Sequence, residues 1–181
     1  MRKTGQAERN KFAEDKNYLK RSGTEMSLKK VREHFKQYGM EDRIIEFAQS
    51  SATVQEAAKA AGTEPGQIAK TMSFYVADKP VLILMAGDVK VDNHKYKEYF
   101  HTKAKMLTPE ELPEKIGHVM GGVCPFGIRD GVTVYLDHSL KRFNTVFPAA
   151  GSGNSAIELT IEELERTSGY TEWIDVTKPI E

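Results

Sequence analysis

Hydrophobic residues recur at helical spacing directly after residue 26, and this pattern marks the first well-defined element of the chain. Leu28, Val31 and Phe35 are three or four residues apart. Ser27 stands before them as an N-cap, and Gly39 follows them as a C-terminal stop. The pattern predicts a helix between Ser27 and Gly39, and with it the start of a folded domain that spans residues 26–181.

The residues before this helix lack a comparable apolar pattern. Residues 1–25 contain seven Lys or Arg and four Asp or Glu, with Phe12 and Tyr18 as their aromatic residues. This is too little apolar surface to form a core. We therefore predict that residues 1–25 are a charged leader outside the domain. An appended helix, a remnant of expression and an alternative start remain open as its origin.

Short apolar runs with cap and turn residues between them continue to the C-terminus. Branched and aromatic residues predict strands, with a hairpin formed by the second and third: residues 43–48, 70–77, 81–86, 132–136, 145–147, 156–159 and 173–176. Cap residues predict helices, the first of them opened by a capping box and closed by glycine: residues 53–62, 65–69, 92–100, 108 onward with proline in first position, and 160–166. Hairpins mixed with short helices predict an α+β (mixed α/β) domain.

Composition narrows the class of protein without naming a function. The chain has 181 residues, of which 39% are hydrophobic and 29% charged, and it lacks any run near the ~18 apolar residues of a membrane span. We see no apolar h-region of a signal peptide, and the single cysteine excludes an internal disulfide. The formal net charge is zero, so contact with nucleic acid would require a local basic patch. We therefore expect a cytoplasmic enzyme or binding protein.

Residues 116–132, IGHVMGGVCPFGIRDGV, carry more glycine than a packed core would use. Glycine lets the backbone pass close to a ligand, and Pro125 fixes its own φ. Such a loop can direct consecutive N–H groups at one point, as an oxyanion hole or a phosphate site requires. A turn between two strands would account for the same glycines equally well.

Three sequence features occur in a characteristic order: Lys70 in QIAKTMSFYV, the GGVCP of residues 121–125, and the GSG of residues 151–153. Together they resemble the YbaK and prolyl-tRNA synthetase-associated editing-domain family. The similarity covers about residues 28–177. It implies a single domain with a mixed, mostly antiparallel, barrel-like sheet flanked by short helices. Two features depart from the family: many relatives have Ser or Thr where this chain has Cys124, and the leader has no counterpart.

The resemblance also implies an activity, the hydrolysis in trans of mischarged aminoacyl-tRNA. The wrong amino acid would be small, such as alanine, cysteine, serine or threonine, and neither metal nor cofactor would be needed. Family members are thought to use the 2′-hydroxyl of the substrate in place of a side-chain base. The expected partner is the acceptor end of aminoacyl-tRNA, with an aminoacyl-tRNA synthetase as a further partner that the resemblance allows.

The same resemblance assigns roles to residues of this chain. The glycine loop would hold the ester carbonyl through its backbone, and Lys70 would act as a point charge for the terminal phosphate or the carbonyl. These catalytic positions are Lys70, Gly121, Gly122, Val123, Cys124 and Pro125. The substrate-binding positions, which include the opposite wall, are His118, Phe126, Gly151, Ser152, Gly153 and Asn154. Without the resemblance, Lys70 would read as a solvated strand end.

Several other side chains admit two interpretations. His118 could act as an acid or base, although a lone histidine near a loop is more often structural. The remaining histidines that we considered, His94, His101 and His138, show no metal-ligand spacing. A basic patch interleaved with aromatic residues could contact acceptor-stem phosphates or be the charged face of an exposed helix: Lys90, Lys95, Lys97, Lys103 and Lys105.

Two further hypotheses remain for the function. Cys124 could be the nucleophile of a cysteine hydrolase, with His118 as the nearest histidine in sequence. Alternatively, the domain could bind tRNA without catalysing its deacylation. The amino acid, the tRNA and the oligomeric state are not encoded in any pattern that we recognise.

Overall fold

A computed structural model describes the backbone of residues 4–181 and the side chains from residue 9 onward. Within this range the chain forms five α-helices, ten strands and three short 3-10 helices at Glu41–Arg43, Pro65–Gln67 and His138–Arg142, the second of which is shorter than the helix predicted at residues 65–69. The helices are α1 (Thr4–Lys36), α2 (Val54–Ala61), α3 (Asn93–Phe100), α4 (Leu112–Lys115) and α5 (Ile161–Thr167). The strands are β1 (Ile44–Glu46), β2 (Ile68–Val76), β3 (Lys79–Ala86), β4 (Val89–Val91), β5 (Thr133–Asp137), β6 (Thr145–Pro148), β7 (Ser155–Ile157), β8 (Leu159–Thr160), β9 (Glu172–Ile174) and β10 (Thr177–Pro179).

Six strands form the main sheet in the order β8-β6-β2-β3-β5-β9. The β2–β3 hairpin is its centre, and β6 pairs with β2 in parallel only at Ile68 and Ala69. Two further antiparallel pairs, β1–β7 and β4–β10, complete the strand pairing of the described residues. The sheet curls into a half-barrel with few helices around it, which confirms the predicted α+β class and barrel-like architecture.

Local cap chemistry forms two of the helices where the sequence predicts them. Thr53 caps α2 in a capping box with Glu56, and Gly62 ends that helix with a φ of 68°. Thr160 and Glu163 form the equivalent capping box of α5. The hairpin is also confirmed, although its turn consists of Ala77 and Asp78, both at positive φ, so that β3 already begins at Lys79.

The core lies between the sheet and the helices. Residues 82–86 of β3 are completely buried, as expected for the central strand of a sheet with both faces covered. Helix α1 contributes Val31 and Phe35, and the Phe35 ring lies 4.5 Å from that of Phe126 between centroids. Helix α3 contributes Tyr96, whose ring lies 5.2 Å from that of Phe74. The core therefore connects α1, the glycine loop and the central hairpin.

Helix α1 differs from the prediction, because it runs without a break across residue 26. Ser27 is therefore not an N-cap: it lies inside the helix and is 2% exposed. Residues 9–21 are exposed along their whole length, whereas Ser27, Val31 and Phe35 are buried. The division into a leader of residues 1–25 and a domain of residues 26–181 stays a prediction, and residues 1–3 of that leader lie outside the described residues.

Two other element boundaries also differ. Helix α4 begins at Leu112 and not after Thr108, because the Glu111 carboxylate accepts from the Thr108 N–H and closes a turn before the helix. Pro113 then occupies the first helical turn, where a missing N–H costs nothing. The strand predicted at residues 156–159 is divided into β7 and β8, since the chain pairs first with β1 and then with β6. None of the helices in the described part of the chain is long and apolar enough to cross a membrane.

Candidate active site

A cavity of about 440 Å³ opens beside the edge of β2, in the size range of small-molecule sites. Its walls come from the start of α2, from β2, from residues 106–112, from the glycine loop and from the β6–β7 region. The lining is mostly apolar. Lys70 is the one ionisable residue among the described residues that line it; no His, Cys, Asp or Glu of this part of the chain does so.

The two glycine-rich segments contact each other through their backbones behind this cavity. A Cβ atom on Gly122 would lie 2.4 Å from the carbonyl carbon of Gly151, so only glycine fits at that position. Gly151 has a φ of +96°, and a Cβ atom there would lie 2.8 Å from the carbonyl oxygen of Ser27 in α1. The segments that the sequence singles out are therefore stacked on the packed half of α1.

The glycine loop places two of its predicted residues at the cavity. Gly121 and Val123 line it, whereas Gly122, Cys124 and Pro125 are buried behind them. The backbone N–H groups of Gly121 and Val123 have no hydrogen-bond acceptor within the described residues. The Gly122 N–H, by contrast, donates to the Val119 carbonyl over 3.1 Å. Unpaired donors in two residues that line a cavity meet one condition of the oxyanion hypothesis, which also requires that both N–H groups point at the same atom.

Residues 151–154 support the cavity without lining it. Ser152 donates from Oγ to Ser155 Oγ over 2.6 Å, and Asn154 donates from Nδ2 to the Phe47 carbonyl over 3.0 Å. The Gly153 carbonyl accepts from the Ser51 N–H over 2.7 Å. These bonds fix the turn against the segment between β1 and α2, so that Ser155, next to the turn, contributes to the cavity wall. The structure thus places this group of predicted residues one layer behind the cavity.

Lys70 lies in β2 at the edge of the cavity, and its ammonium group donates to the Val89 carbonyl. Burial lowers the pKa of Lys70, and the nearby Asp88 carboxylate partly opposes this change. Asp88 is itself paired with Arg142, which holds the pKa of that carboxyl below its usual value. Lys70 is therefore a half-buried donor in a fixed position and not the solvated strand end that the sequence also allowed.

His118 lies in a closed polar cluster beneath the glycine loop and not at the cavity. Its Nε2 donates to the Phe126 carbonyl over 2.6 Å, because a carbonyl can only accept. Its Nδ1 must then accept from the Ser27 hydroxyl, which lies 2.5 Å away. Phe126 is completely buried in the core, together with Phe35. Both His118 and Phe126 were predicted to bind substrate, and the structure gives them supporting positions instead.

Cys124 belongs to the same cluster. Its Sγ lies 3.5 Å from His118 Nε2 and 3.8 Å from the Phe126 carbonyl oxygen, and the residue is completely buried. Burial raises the pKa of the Cys124 thiol to about 12 and lowers the pKa of His118 to about 4. A neutral imidazole whose Nε2 carries the proton cannot take the proton of the thiol from that side. The geometry therefore argues against Cys124 as a nucleophile, and also places it behind the cavity wall.

The predicted basic patch is divided in the structure. Lys105 lies beside the cavity-lining residues 106–107, with its ammonium 5.3 Å from the Tyr75 ring centroid. Lys95 is neutralised by Asp175 at 2.9 Å and also donates to the Thr177 carbonyl. Lys90 lies in β4, opposite Lys178. Lys97 and Lys103 are exposed. Among these lysines, Lys105 is thus the one that directly precedes residues of the cavity lining.

Sequence reasoning missed most of the residues that form the cavity. Among the ones it missed, Thr71 and Ser73 in β2 contribute hydroxyl groups, and Met72, Met106 and Met120 contribute flexible apolar side chains. A period-two pattern identifies β2 as a strand but does not show which of its residues has an open edge. In the part of the chain from residue 9 onward, no group of three or more His, Cys, Asp or Glu side chains could hold a metal ion.

Comparison with known proteins defines the class. Residues 48–167 match the model of the aminoacyl-tRNA editing domain family. A crystal structure of a candidate trans-editing enzyme for prolyl tRNA synthetase superposes with a TM-score of 0.76 at 29% identity, and covers 84% of this chain and 97% of that one. The chain therefore belongs to the aminoacyl-tRNA editing domain family, as its motifs had indicated.

Individual relatives place the chain within this family. The uncharacterized protein YwhH of Bacillus subtilis is 54% identical over 154 residues, which are 84% of this chain and 98% of YwhH. A proline–tRNA ligase of Limosilactobacillus fermentum is 34% identical over 113 residues, which are 59% of this chain and 20% of the ligase. The chain is thus similar to nearly the whole of YwhH, and to about a fifth of the much longer ligase.

Proposed function

We propose that this protein hydrolyses the ester bond of mischarged aminoacyl-tRNA in trans, and so releases the wrong amino acid and an intact tRNA. The observation that carries the proposal is the pair of unpaired N–H groups of Gly121 and Val123 at the wall of the cavity. Membership of the editing-domain family and the similarity to a candidate trans-editing enzyme support the same reaction.

The chemistry needs little beyond this geometry, because an aminoacyl ester is already activated. A water molecule attacks the carbonyl carbon, the carbonyl oxygen becomes negatively charged, and the C–O bond to the terminal ribose then breaks. Fixed N–H groups in an apolar cavity stabilise the charge that develops on the oxygen, and removal of one such donor costs about 10²–10³-fold in kcat in known cases. Gly121 and Val123 would provide these donors.

The proton transfers are assigned to the substrate. The cavity lining of the described residues contains no His, Asp, Glu or Cys, and its one ionisable residue, Lys70, acts as a donor to the Val89 carbonyl, so we assign no side chain there as the general base. The 2′-hydroxyl of the terminal ribose, adjacent to the scissile ester, would accept a proton from the attacking water and return one to the departing 3′-oxygen. This assignment rests on the family resemblance together with the composition of the cavity.

Lys70 would position the terminal nucleotide. Its ammonium group is held by the Val89 carbonyl, which uses one of its donors and leaves the others for a phosphate or carbonyl oxygen. Lys105 would contact the acceptor end, since it directly precedes the cavity-lining residues 106–107. The partner would be aminoacyl-tRNA in the cytoplasm, with prolyl-tRNA synthetase as the enzyme whose errors are corrected.

A non-catalytic tRNA-binding module is the second candidate, because the same cavity could hold an acceptor end without promoting hydrolysis. A panel of tRNAs charged with alanine, cysteine, serine, threonine or proline separates the two hypotheses, starting with tRNAPro. We expect turnover of tRNAPro that carries one of the small amino acids, and little turnover of the correctly charged prolyl-tRNA.

Single-turnover rates above the spontaneous rate of ester hydrolysis would establish the reaction. The Lys70→Ala variant serves as the control for contaminating deacylases, since it purifies in the same way. If the protein binds tRNA but accelerates hydrolysis of none of these esters, the binding module is correct and the deacylase proposal is not.

A further inference from the structure

The edge of β2 that faces the cavity is incompletely paired. On this side β6 pairs with β2 at Ile68 and Ala69, and residues 105–107 then bond to Ser73 and Tyr75. The Tyr75 N–H donates to the Lys105 carbonyl over 2.8 Å, and the Leu107 N–H donates to the Ser73 carbonyl over 3.2 Å. A gap in the pairing is therefore centred between Ala69 and Ser73.

Thr71 occupies this gap. Backbone groups of alternate residues in a strand point to the same side, so Thr71 shares its direction with Ser73 and Tyr75 and points away from β3. Outside the β2–β3 pairing, neither the Thr71 N–H nor the Thr71 carbonyl has a hydrogen-bond partner among residues 4–181. Its Oγ1 is also buried and without a partner. One residue thus presents three unsatisfied polar groups, and it lines the cavity.

Unsatisfied groups of this kind are rare, and buried ones cost free energy unless a ligand pairs with them. In an antiparallel sheet, two opposed residues exchange both N–H···O bonds. An aminoacyl ester can do the same with Thr71, because its α-ammonium group donates and its carbonyl oxygen accepts. The ammonium group retains further N–H donors, one of which can reach Thr71 Oγ1.

We propose that Thr71 pairs with the aminoacyl group as one strand residue pairs with another. The carbonyl and hydroxyl oxygens of Thr71 accept from the α-ammonium group, and the Thr71 N–H donates to the ester carbonyl. This inference rests on the proposed function and extends it. The carbonyl oxygen has two lone pairs, so it accepts from Thr71 on one side and from the glycine loop on the other. Recognition of this type selects for a free α-ammonium group and does not depend on the amino-acid side chain.

Binding of two stable adenosine analogues tests the inference without relying on catalysis. One carries an alanyl group and the other a lactyl group, each in amide linkage to 3′-amino-3′-deoxyadenosine, so that they differ in a single ammonium-for-hydroxyl exchange. We expect the wild-type protein to bind the alanyl analogue about tenfold to a hundredfold more tightly than the lactyl analogue, because hydrogen bonds to a charged group contribute about that much to affinity. Titration calorimetry measures both dissociation constants.

The Thr71→Val variant removes the hydroxyl but retains the branched shape of the side chain. This variant should bind the alanyl analogue about tenfold more weakly and the lactyl analogue less than twofold more weakly, because the hydroxyl and the ammonium group are coupled through one contact. Thr133→Val, the same change in β5 away from the cavity, is the matched control and should alter neither. Thr71→Ser should restore the alanyl preference. If Thr71→Val fails to fold, Thr71→Ala removes the same hydroxyl and takes its place.

Equal affinity of the wild-type protein for both analogues, or binding of neither at millimolar concentration, would overturn the inference. Equal losses of both analogues in Thr71→Val would likewise assign Thr71 a merely structural role. The outcome is separable from the proposed function. A protein that prefers the alanyl analogue but hydrolyses no aminoacyl-tRNA retains this recognition as a binding module, whereas turnover without any preference retains the deacylase and rejects the role of Thr71.

Discussion

The side chains of the most reactive types and the candidate active site lie in two different regions, the buried cluster around His118 and the cavity beside β2. Ser27 and Cys124 each lie within hydrogen-bonding reach of His118, yet all three residues are at most 2% exposed. The described residues that line the cavity beside β2 include no His or Cys, but they contribute hydroxyl groups and unpaired backbone donors. The comparison teaches that residue type alone does not identify a catalytic site, because access and unsatisfied hydrogen bonding decide what can act on a ligand.

The buried cluster of Ser27, His118 and Cys124 holds the glycine loop in position. Ser27 belongs to α1, His118 and Cys124 belong to the glycine loop, and the Ser27–His118 bond joins residues 91 positions apart. The cluster therefore fixes the loop on α1, and the loop in turn presents Gly121 and Val123 to the cavity. Changes at the cavity should reduce activity with little effect on stability, whereas changes in the cluster should reduce stability, and should reduce activity only where they release the loop from α1.

The largest effect is expected from Lys70→Ala, on the cavity side of the comparison. We expect deacylation to fall by about 10²-fold or more, since a fixed positive charge on the substrate is lost. The melting temperature should change little, because Lys70 makes one hydrogen bond to a carbonyl and is not in the apolar core. Single-turnover rates and thermal melts of the same preparation measure both quantities.

Lys79→Ala is the matched control, because Lys79 is an exposed lysine on the adjacent strand. It should leave the deacylation rate unchanged. Wild-type rates in a folded Lys70→Ala variant would remove Lys70 from the site and weaken the contrast between the cavity and the cluster.

The second largest effect is expected in the pH dependence of stability, through His118 in the buried cluster. Because burial lowers the pKa of His118 to about 4, the unfolded chain binds a proton below about pH 6.5 that the folded chain does not. Stability should therefore be complete above pH 6.5 and decrease as the pH falls toward 4. The expected loss between pH 7.5 and pH 5 is about 2 kcal/mol in the free energy of unfolding.

Denaturation midpoints at a series of pH values measure this dependence, and His118→Gln should flatten it. The exposed His138 provides the control variant His138→Gln, which should retain the wild-type slope. His34, whose pKa is also lowered by burial, contributes in both variants and cancels in the comparison. An unchanged slope in His118→Gln would show that the cluster does not keep its histidine neutral.

The sequence predicted those features that depend on neighbouring residues. The capping box at Thr53, the hairpin around Asp78 and the cap at Asp92 need only a few adjacent positions, and all three are confirmed. The family motifs also singled out Lys70 and residues 121–125, of which Lys70, Gly121 and Val123 line the cavity. Their assigned catalytic and binding roles remain predictions.

The remaining features depend on residues far apart in the chain. Thr71 is unpaired only because β6 and residues 105–107 bond to β2 on either side of it, which a strand pattern cannot show. His118 is closed off by Ser27, a contact that no local spacing indicates. The continuity of α1 was missed because residues 9–21 lack an apolar stripe, the signal by which amphipathic helices are recognised.

A smaller effect is expected from Cys124→Ser, which tests the cluster as a possible catalytic site. We expect deacylation within roughly tenfold of wild type, because the Cys124 side chain is completely buried and does not line the cavity. Single-turnover kinetics and intact-mass spectrometry measure the rate and any acyl adduct. A thousandfold loss with an adduct trapped on Cys124 of the wild-type protein would instead establish the cysteine hydrolase.

The smallest effect is expected from removal of the exposed half of α1. Phe12, Tyr18 and Leu19 are 64%, 73% and 67% exposed, so a chain that begins at Ser22 loses little buried apolar surface. That chain keeps Gly23, where a Cβ atom would lie 3.1 Å from Val119 Cγ1, and the helical turn that leads to Ser27. We expect its melting temperature to stay within a few degrees of wild type and its deacylation rate to stay within about twofold.

A chain that begins at Leu28 is the informative counterpart, because it lacks the Ser27 bond to His118. It should melt earlier and lose activity, since the glycine loop is no longer fixed on α1. Thermal melts and single-turnover rates of both shortened chains, measured beside wild type, decide the comparison. If the Ser22 chain loses as much as the Leu28 chain, the exposed half of α1 contributes to the domain itself, and the boundary predicted near residue 26 is wrong.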